Sequence, residues 1–170
     1  MDRPAKPVGA SVRMTEDEAW SVIEASHTGI LTTLRRDGRP VALPIWFVAL
    51  DRRVYVSTRG KKVARVRHDD RASFLVEAGE RWAELRAAHM DCRARVIEPT
   101  SVLSERIRVA LDQKYGAFRT AGTAMPSATR DHYRKAQGAV IELVPDGKLL
   151  TWDNNRLGIP CDGAPSTLTD

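Results

Sequence analysis

Short strand-like segments separated by turn signals dominate the first part of this 170-residue chain. Residues 29–34 are rich in apolar and β-branched side chains, and residues 36–40 carry the Asp-Gly pair of a hairpin turn. Residues 41–50 are almost continuously apolar, and residues 54–58 alternate in the manner of a half-buried strand. Because Pro44 has no N–H to donate, the second segment is expected to be an edge strand or to contain a bulge or break. The sequence therefore predicts a three-stranded antiparallel meander.

The remainder of the chain continues with short strands between helices. Further strands are predicted at residues 72–76, 82–85, 90–96, 139–144 and 148–152. Helices are predicted at residues 15–26, where Thr15 and Glu18 form a capping box, at 61–68, at 101–115 and, more weakly, at 127–137. Since closing a sheet removes exposed strand edges, we expect a mainly β (α+β) fold built as a small β-barrel with peripheral helices.

The length fits one domain, which we place at residues 14–160. Residues 1–13 lack the apolar segment of a signal peptide, and together with residues 161–170 they are expected to form flexible tails. No apolar run approaches the roughly 20 residues that span a bilayer. Cys92 and Cys161 stand far apart and outside any CxxC spacing, which favours reduced thiols. These features predict a cytoplasmic protein with no membrane partner.

Positive charge is concentrated just after the meander. Residues 52–71 contain eight Arg or Lys and two Asp, a net charge of +6, while the whole chain carries +5. Lys61 and Lys62 would open a helix, whose positive dipole end disfavours them unless an anion such as a phosphate binds there. A lysine pair can also be an ordinary solvated helix surface, but its position at a strand-to-helix turn favours the anion site.

Seven blocks of residues follow one another in an informative order. They are residues 28–34 (TGILTTL), 37–40 (DGRP), 44–47 (PIWF), 61–64 (KKVA), 69–77 (DDRASFLVE), 151–153 (TWD) and 156–160 (RLGIP). The ordered set resembles the pyridoxamine 5'-phosphate oxidase-like split-barrel superfamily. More narrowly, it is similar to the actinobacterial flavin/deazaflavin oxidoreductases of the B group, over about residues 14–160.

This resemblance implies an FMN-binding-type split β-barrel that forms a homodimer, with FMN or the deazaflavin coenzyme F420 bound at the subunit interface. It implies that the isoalloxazine-like ring is faced by Leu43, Pro44, Ile45 and Trp46. It also implies that the phosphate is held by Thr58, Arg59, Lys61, Lys62 and Arg65. No catalytic residue can be assigned from it.

Two aromatic residues of the second strand have a simpler interpretation. Trp46 and Phe47 could both be core residues, and because adjacent strand residues point to opposite faces, at least one of them is expected in the core. The four histidines lack the spacing of a zinc site, so no metal is predicted.

The motifs of common enzyme classes are missing from the sequence. It contains no GxSxG, GxGxxG or P-loop motif, which leaves acyl transfer, Rossmann dehydrogenase and NTPase activities without support. A flavin-type cofactor carries its own reactive atoms and needs only binding and orientation. Our first hypothesis is an oxidoreductase that transfers a hydride from F420 to a small unsaturated or aromatic substrate.

Alternatives remain open at this stage. They are an FMN-binding oxidoreductase and a non-catalytic cofactor carrier, which would need the same anion site. Eight basic residues within twenty positions favour the longer anion F420 over FMN. A nucleic-acid partner is not predicted, because the charge lies in one turn without interleaved aromatic residues or a recognised motif.

Overall fold

The computed structural model describes residues 11–129, 131 and 138–159. Its α-helices are α1 (Glu16–Ala25), α2 (Lys61–His68) and α3 (Ser101–Tyr115). Its strands are β1 (Gly29–Leu34), β2 (Pro40–Ile45), β3 (Val48–Leu50), β4 (Arg53–Thr58), β5 (Arg71–Ala78), β6 (Arg86–Ile97), β7 (Ala139–Pro145) and β8 (Leu150–Asp153). Short 3₁₀ turns lie at Trp82–Glu84, Gly116–Phe118, Gly122–Ala124 and Asn154–Leu157.

The strands form one antiparallel sheet in the order β2-β1-β5-β6-β7-β4-β3, with β8 paired to β6. The two ends of this sheet, β2 and β3, are joined by only Trp46 and Phe47. So short a link brings the two ends together, and the sheet curls into a half-barrel. The predicted fold class, a mainly β split barrel with peripheral helices, is confirmed.

The inside of the curled sheet is filled by side chains in register. Leu31 on β1 lies opposite Phe74 on β5, which lies opposite Met90 on β6, and all three are fully buried. Helix α1 closes this core with Trp20 and Ile23. Its start is fixed by the predicted capping box, since Glu18 N–H donates to the Thr15 hydroxyl and Thr15 N–H donates to the Glu18 carboxylate.

A second apolar cluster lies under α3, where Ile107 and Tyr115 pack against Val48 and Tyr55. The helix has the bounds expected from its apolar spacing, residues 101–115. It begins at the Thr100 cap, whose hydroxyl accepts from Leu103 N–H. Helix α3 therefore covers the β3–β4 side of the sheet and carries Tyr115 to the β2–β3 link.

The region around Pro44 departs in detail from the expectation. Residues 41–50 do not form one continuous strand, because the chain leaves the ladder after Ile45 and re-enters it at Val48. Pro44 itself lies within β2, opposite Ile30. It is tolerated because β2 is an edge strand of the sheet, which is one of the positions that the sequence analysis expected for this proline.

Residues 82–85 were predicted as a strand, and this was wrong. They form a 3₁₀ turn, Trp82–Glu84, which folds back against the loop at Gly79. Gly79 has a φ of +101°, and a Cβ there would lie 2.5 Å from the Glu84 carbonyl oxygen, so the loop requires glycine. The apolar residues Trp82, Ala83 and Leu85 give no sign of this close approach.

The last two strands are not a hairpin. β7 and β8 both pair with the same edge of β6, one after the other, with Asp146 N–H bonded to the Asp91 carbonyl between them. Of the weakly predicted helix at 127–137, residues 127–129 and 131 are helical, and the rest lies outside the described residues.

The predicted tails lie mostly outside the described residues as well. Among those described, the Val12 carbonyl accepts a hydrogen bond from Asp153 N–H. None of the described helices is long and apolar enough to cross a membrane.

Candidate functional site

An open groove of about 460 Å³ lies between the β1–β2 hairpin and helix α2. Its lining is formed by Leu34, Arg35, Arg36, Val41, Lys61, Ala64, Arg65 and His68. Four of these side chains carry a fixed positive charge, and none of the eight is acidic. Like charges that face one groove repel each other, so the arrangement favours a bound anion.

Two local structures bring the charges together. In the hairpin turn, Arg35 N–H bonds to the Arg39 carbonyl and Gly38 N–H to the Arg35 carbonyl, which requires the left-handed φ of +79° at Gly38. On α2, Lys61, Arg65 and His68 recur at helical spacing and so share one face. The hairpin therefore supplies two cations to the groove, and the helix supplies two cations and a histidine.

Arg65 is held in place by the sheet. Its Nε donates to the hydroxyl of Thr33 at 2.7 Å, and Thr33 is buried within β1. The bond uses one of the five N–H groups of the guanidinium. Arg65 is thus a half-buried cation that is fixed before any ligand binds, which lowers the entropic cost of binding.

The first turn of α2 adds a partial positive charge. Gly60 at the N-cap provides no side-chain acceptor, and the first turn contains no acidic residue. Its free N–H groups and the helix dipole favour a negative ligand. This is the conflict with Lys61 and Lys62 that the sequence revealed.

The structure separates the five residues that the resemblance assigned to the phosphate. Lys61 and Arg65 line the groove, whereas Lys62, Thr58 and Arg59 do not. Thr58 ends β4 and Arg59 follows it, and both are half-buried beside the helix start. Lys62 is also half-buried, one position around the helix from the groove face.

The residues assigned to the cofactor ring lie along the exposed edge strand β2. Leu43 and Ile45 point to the inner face, where Ile45 packs against the core, and Pro44 points to the outer face. Leu43 and Pro44 are exposed. The three side chains therefore cannot all meet one ring face, and the part of β2 open to a ligand is its edge.

Trp46 and Phe47 divide as expected between surface and core. Phe47 is fully buried and meets Phe74 edge to face, while Trp46 is 43% exposed. The Trp46 indole lies parallel to the ring of Tyr115, with centroids 4.4 Å apart. The Trp46 ring therefore packs on Tyr115 with one face and is partly exposed to solvent just after β2.

Two neighbouring residues of α3, Lys114 and Tyr115, contact Phe47 in the link between β2 and β3. The Tyr115 hydroxyl accepts from Phe47 N–H at 2.9 Å and lies 2.7 Å and 2.8 Å from the carbonyl oxygens of Phe47 and His27, which share its proton. Burial raises the pKa of Tyr115. The Lys114 ammonium lies 3.9 Å from the centre of the Phe47 ring, and burial lowers the pKa of this lysine to about 8.

Sequence reasoning missed Arg35, Arg36 and Tyr115. The two arginines precede a recognised Asp-Gly turn, so the hairpin prediction could have placed them beside the strand ends, but not opposite α2. Tyr115 lies 69 positions after Trp46 and gives no local signal. Among the described residues, no group of three or more His, Cys, Asp or Glu is placed to hold a metal ion.

Comparisons with known proteins extend these observations. A family model described as pyridoxamine 5'-phosphate oxidase matches residues 15–147. No curated protein matches the sequence. Among solved structures, the conserved hypothetical protein Rv2991 from Mycobacterium tuberculosis is 25% identical, with a TM-score of 0.74 over 94% of this chain and 98% of that one.

More distant structures share the fold alone. An FAD-binding protein from Mesorhizobium loti is 15% identical, with a TM-score of 0.62 over 81% of this chain and 94% of its own. HutZ, the heme storage protein from Vibrio cholerae, is 16% identical, with a TM-score of 0.61 over 82% and 96%.

Proposed function

Since the chain belongs to the pyridoxamine 5'-phosphate oxidase family, we propose that it binds a flavin-type cofactor, and more narrowly the deazaflavin F420. We propose further that it is an oxidoreductase that passes a hydride from this cofactor to a small unsaturated or aromatic substrate. A structural relative that binds FAD supports the general class.

The four positively charged side chains of the groove are the reason for proposing F420 rather than FMN. FMN ends in a single phosphate, whereas F420 continues through a phosphodiester into a tail of carboxylates. Arg35, Arg36, Lys61 and Arg65 line a groove without an acidic residue, which suits several negative charges better than one. Arginine in particular forms paired hydrogen bonds with phosphate and carboxylate groups.

The edge strand β2 gives the cofactor a path from the groove to Trp46. Val41 lies in the groove, and an extended chain rises about 3.3 Å per residue, so Trp46 is about 17 Å further along. Leu43 and Pro44 are exposed on the way. A long cofactor with its anionic tail in the groove therefore has its ring near Trp46.

In this arrangement the chain binds and orients, and the cofactor supplies the hydride. The arginines and Lys61 neutralise the tail, and Arg65 does so without reordering because Thr33 already holds it. Trp46 offers a flat apolar surface for the ring, and Tyr115 keeps that surface in place. No described side chain stands out as a proton donor to the substrate.

The competing cofactors can be separated by titration at equilibrium. We expect F420 to bind more tightly than FMN, and the deazaflavin ring compound without phosphate or tail to bind most weakly. The advantage of F420 should shrink as salt is added, because it comes from charge pairs in an open groove. Tighter binding of FMN would favour the FMN-dependent alternative.

Enzyme and carrier are distinguished by the fate of the reduced cofactor. With the protein present, a conjugated acceptor should restore the oxidised absorbance at a rate that saturates with acceptor and exceeds the protein-free rate. A panel of quinones, enones, nitroaromatics and tetrapyrroles covers the plausible classes. Tight cofactor binding without acceleration by any of them would favour the carrier.

We also propose that the protein is a homodimer whose subunits share the cofactor sites. The exposed apolar residues Leu43, Pro44 and Trp46 lie on one sheet edge, where an isologous contact would bury them. Light scattering at micromolar concentration should give twice the chain mass. A monomer that still binds cofactor would contradict the shared site.

A further inference from the structure

Arg65 differs from the other three cations of the groove in how it is held. Arg35, Arg36 and Lys61 are exposed. Arg65 is half-buried, and its Nε donates to the Thr33 hydroxyl at 2.7 Å. A long exposed side chain samples many rotamers, so that ordering it on binding has an entropic cost. The contacts of the described residues therefore fix Arg65, and not the other three, before a ligand arrives.

The residue that anchors Arg65 is a polar residue at a core position. Thr33 is buried on the face of β1 that also carries Gly29 and Leu31. A valine has nearly the same shape and would fill this position without a hydroxyl that needs a partner. The buried hydroxyl of Thr33 is satisfied by the guanidinium of Arg65. The polar side chain at this core position therefore serves Arg65.

The hydroxyl of Thr33 is neutral, which preserves the charge of Arg65. On the other side of the sheet, Arg53 and Arg95 are instead held by the carboxylate of Glu142. A carboxylate fixes a guanidinium but also compensates its charge, whereas a hydroxyl fixes it and leaves the charge available. Among the described residues, Arg65 forms no ion pair. It is thus both fixed and uncompensated.

The bond to Thr33 also determines which edge of the guanidinium faces a ligand. With Nε occupied, the N–H groups of the two terminal nitrogens remain, and they form one edge of the planar group. Two parallel N–H groups match the two oxygens of a phosphate or carboxylate and bind them together. Arg65 is therefore oriented for an anion with paired oxygens.

We propose that Thr33 is a positioning residue of the groove, which holds Arg65 so that both terminal nitrogens bind one phosphate or carboxylate of the ligand. Thr33 does not contact the ligand and acts only through Arg65. This inference rests on the proposed anion-binding function of the groove, and it adds the residue that sets the geometry of the contact. It does not depend on which cofactor carries the anion.

The test measures binding of inorganic pyrophosphate, which has paired oxygens and no ring, by calorimetry at low salt. Thr33→Val keeps the shape of the side chain and removes the hydroxyl. We expect it to weaken binding about 2- to 10-fold, which is the cost of ordering one long side chain. Thr33→Ser keeps the hydroxyl and should retain most of the wild-type affinity. Wild-type affinity in Thr33→Val, or equal losses in both variants, would overturn the proposal.

A double-mutant cycle tests whether Thr33 acts through Arg65. Arg65→Lys keeps the positive charge and removes the paired N–H groups, so it should also weaken pyrophosphate binding. In this background Thr33→Val should have no further effect, because no guanidinium is left to hold. An undiminished effect of Thr33→Val in the Arg65→Lys background would mean that Thr33 acts by another route, and the proposal would fail.

The Nε–H of Arg65 gives a readout that needs no ligand. In NMR spectra of the protein alone, this proton should exchange slowly with water in the wild type and in Thr33→Ser, and rapidly in Thr33→Val. Rapid exchange in the wild type would show that the guanidinium is not held before binding. Binding of pyrophosphate without binding of F420 would overturn only the proposed cofactor. No saturable binding of pyrophosphate by the wild type would overturn the anion site and its positioning residue together.

Discussion

The indole of Trp46 lies flat against the phenol of Tyr115, with the two ring planes 8° apart. The same phenol is hydrogen-bonded through its hydroxyl to both backbone groups of Phe47. One side chain of α3 therefore fixes the short link between the two ends of the curled sheet and the aromatic surface beside the candidate site.

Removing only the hydroxyl tests this role. Tyr115→Phe keeps the ring against Trp46 but leaves the buried backbone groups of Phe47 without their partner. We expect the free energy of unfolding in urea to fall by about 1–3 kcal/mol. Trp46→Phe is the control, since it keeps a ring on Tyr115 and changes a half-exposed position. An equal loss in the control would show that the hydroxyl is not the source of the stability.

The groove can be tested with two neighbouring lysines. Lys61 lines it and Lys62 does not, so Lys61→Gln should weaken cofactor binding and Lys62→Gln should have little effect. A hydrogen bond to a charged group contributes about 1.5–3 kcal/mol, which corresponds to a loss of roughly 10- to 100-fold. Fluorescence titration of each variant gives the ratio. A larger loss with Lys62→Gln would place the anion at the start of α2 instead of in the groove.

A buried carboxylate on the outer side of the sheet predicts a pH-dependent stability. Glu142 on β7 accepts from Arg53 at 2.7 Å, from Arg95 at 2.8 Å and from the Tyr55 hydroxyl at 3.2 Å. Burial favours the neutral acid, yet Arg53 and Arg95 outweigh it and hold the pKa of Glu142 below 4.5. Glu142→Gln should lower the free energy of unfolding by about 1–3 kcal/mol at neutral pH, less than for a fully buried pair because both arginines reach solvent.

The sign of the pH effect follows from the lowered pKa. The charge of Glu142 stabilises the fold above the pKa of the unfolded chain, and this contribution is lost as the pH falls through the lower folded value. The stability difference between wild type and Glu142→Gln should therefore be largest at neutral pH and shrink below about pH 4.5. A difference that stays constant with pH would exclude an ionised Glu142 as its cause.

Cys92 should be chemically inert in the folded protein. It is buried in the core, and burial raises the pKa of its thiol to about 12, so the reactive thiolate is scarce. In a Cys161→Ser background, a thiol reagent should react only after denaturation. Rapid reaction of the native variant would show that the core around β6 opens readily.

Local patterns predicted the elements that depend on neighbouring residues. The capping box located α1, apolar spacing gave α3, and the Asp-Gly turn gave the β1–β2 hairpin. Elements that depend on distant partners were predicted less well. β6 begins at Arg86, before any alternation is visible, because its first residues pair with both β5 and β8. Near the end of the domain, Asn154 is buried and donates to the Trp82 carbonyl, a contact that no local pattern in the sequence predicts.

The residues of the candidate site also fall into two groups, those that the sequence indicated and those that only long-range packing brings to the site. Charge density, which is visible along the sequence, drew attention to Lys61 and Lys62, and the family resemblance added Arg65. Arg35 and Arg36 join them only when the hairpin packs beside α2, a contact between segments about 25 residues apart. The support of Trp46 by Tyr115 depends on α3 crossing the sheet. Neither contact leaves a periodic pattern that could be read beforehand.

The central claim is that the groove beside α2 holds the anionic part of a deazaflavin cofactor. Its most direct test is the absorbance spectrum of the protein fraction after gel filtration of the protein mixed with F420 or, separately, with FMN. We predict that F420 elutes with the protein and approaches one cofactor per chain, and that FMN is retained less. Elution of F420 apart from the protein at low salt, or retention of FMN alone, would contradict the claim.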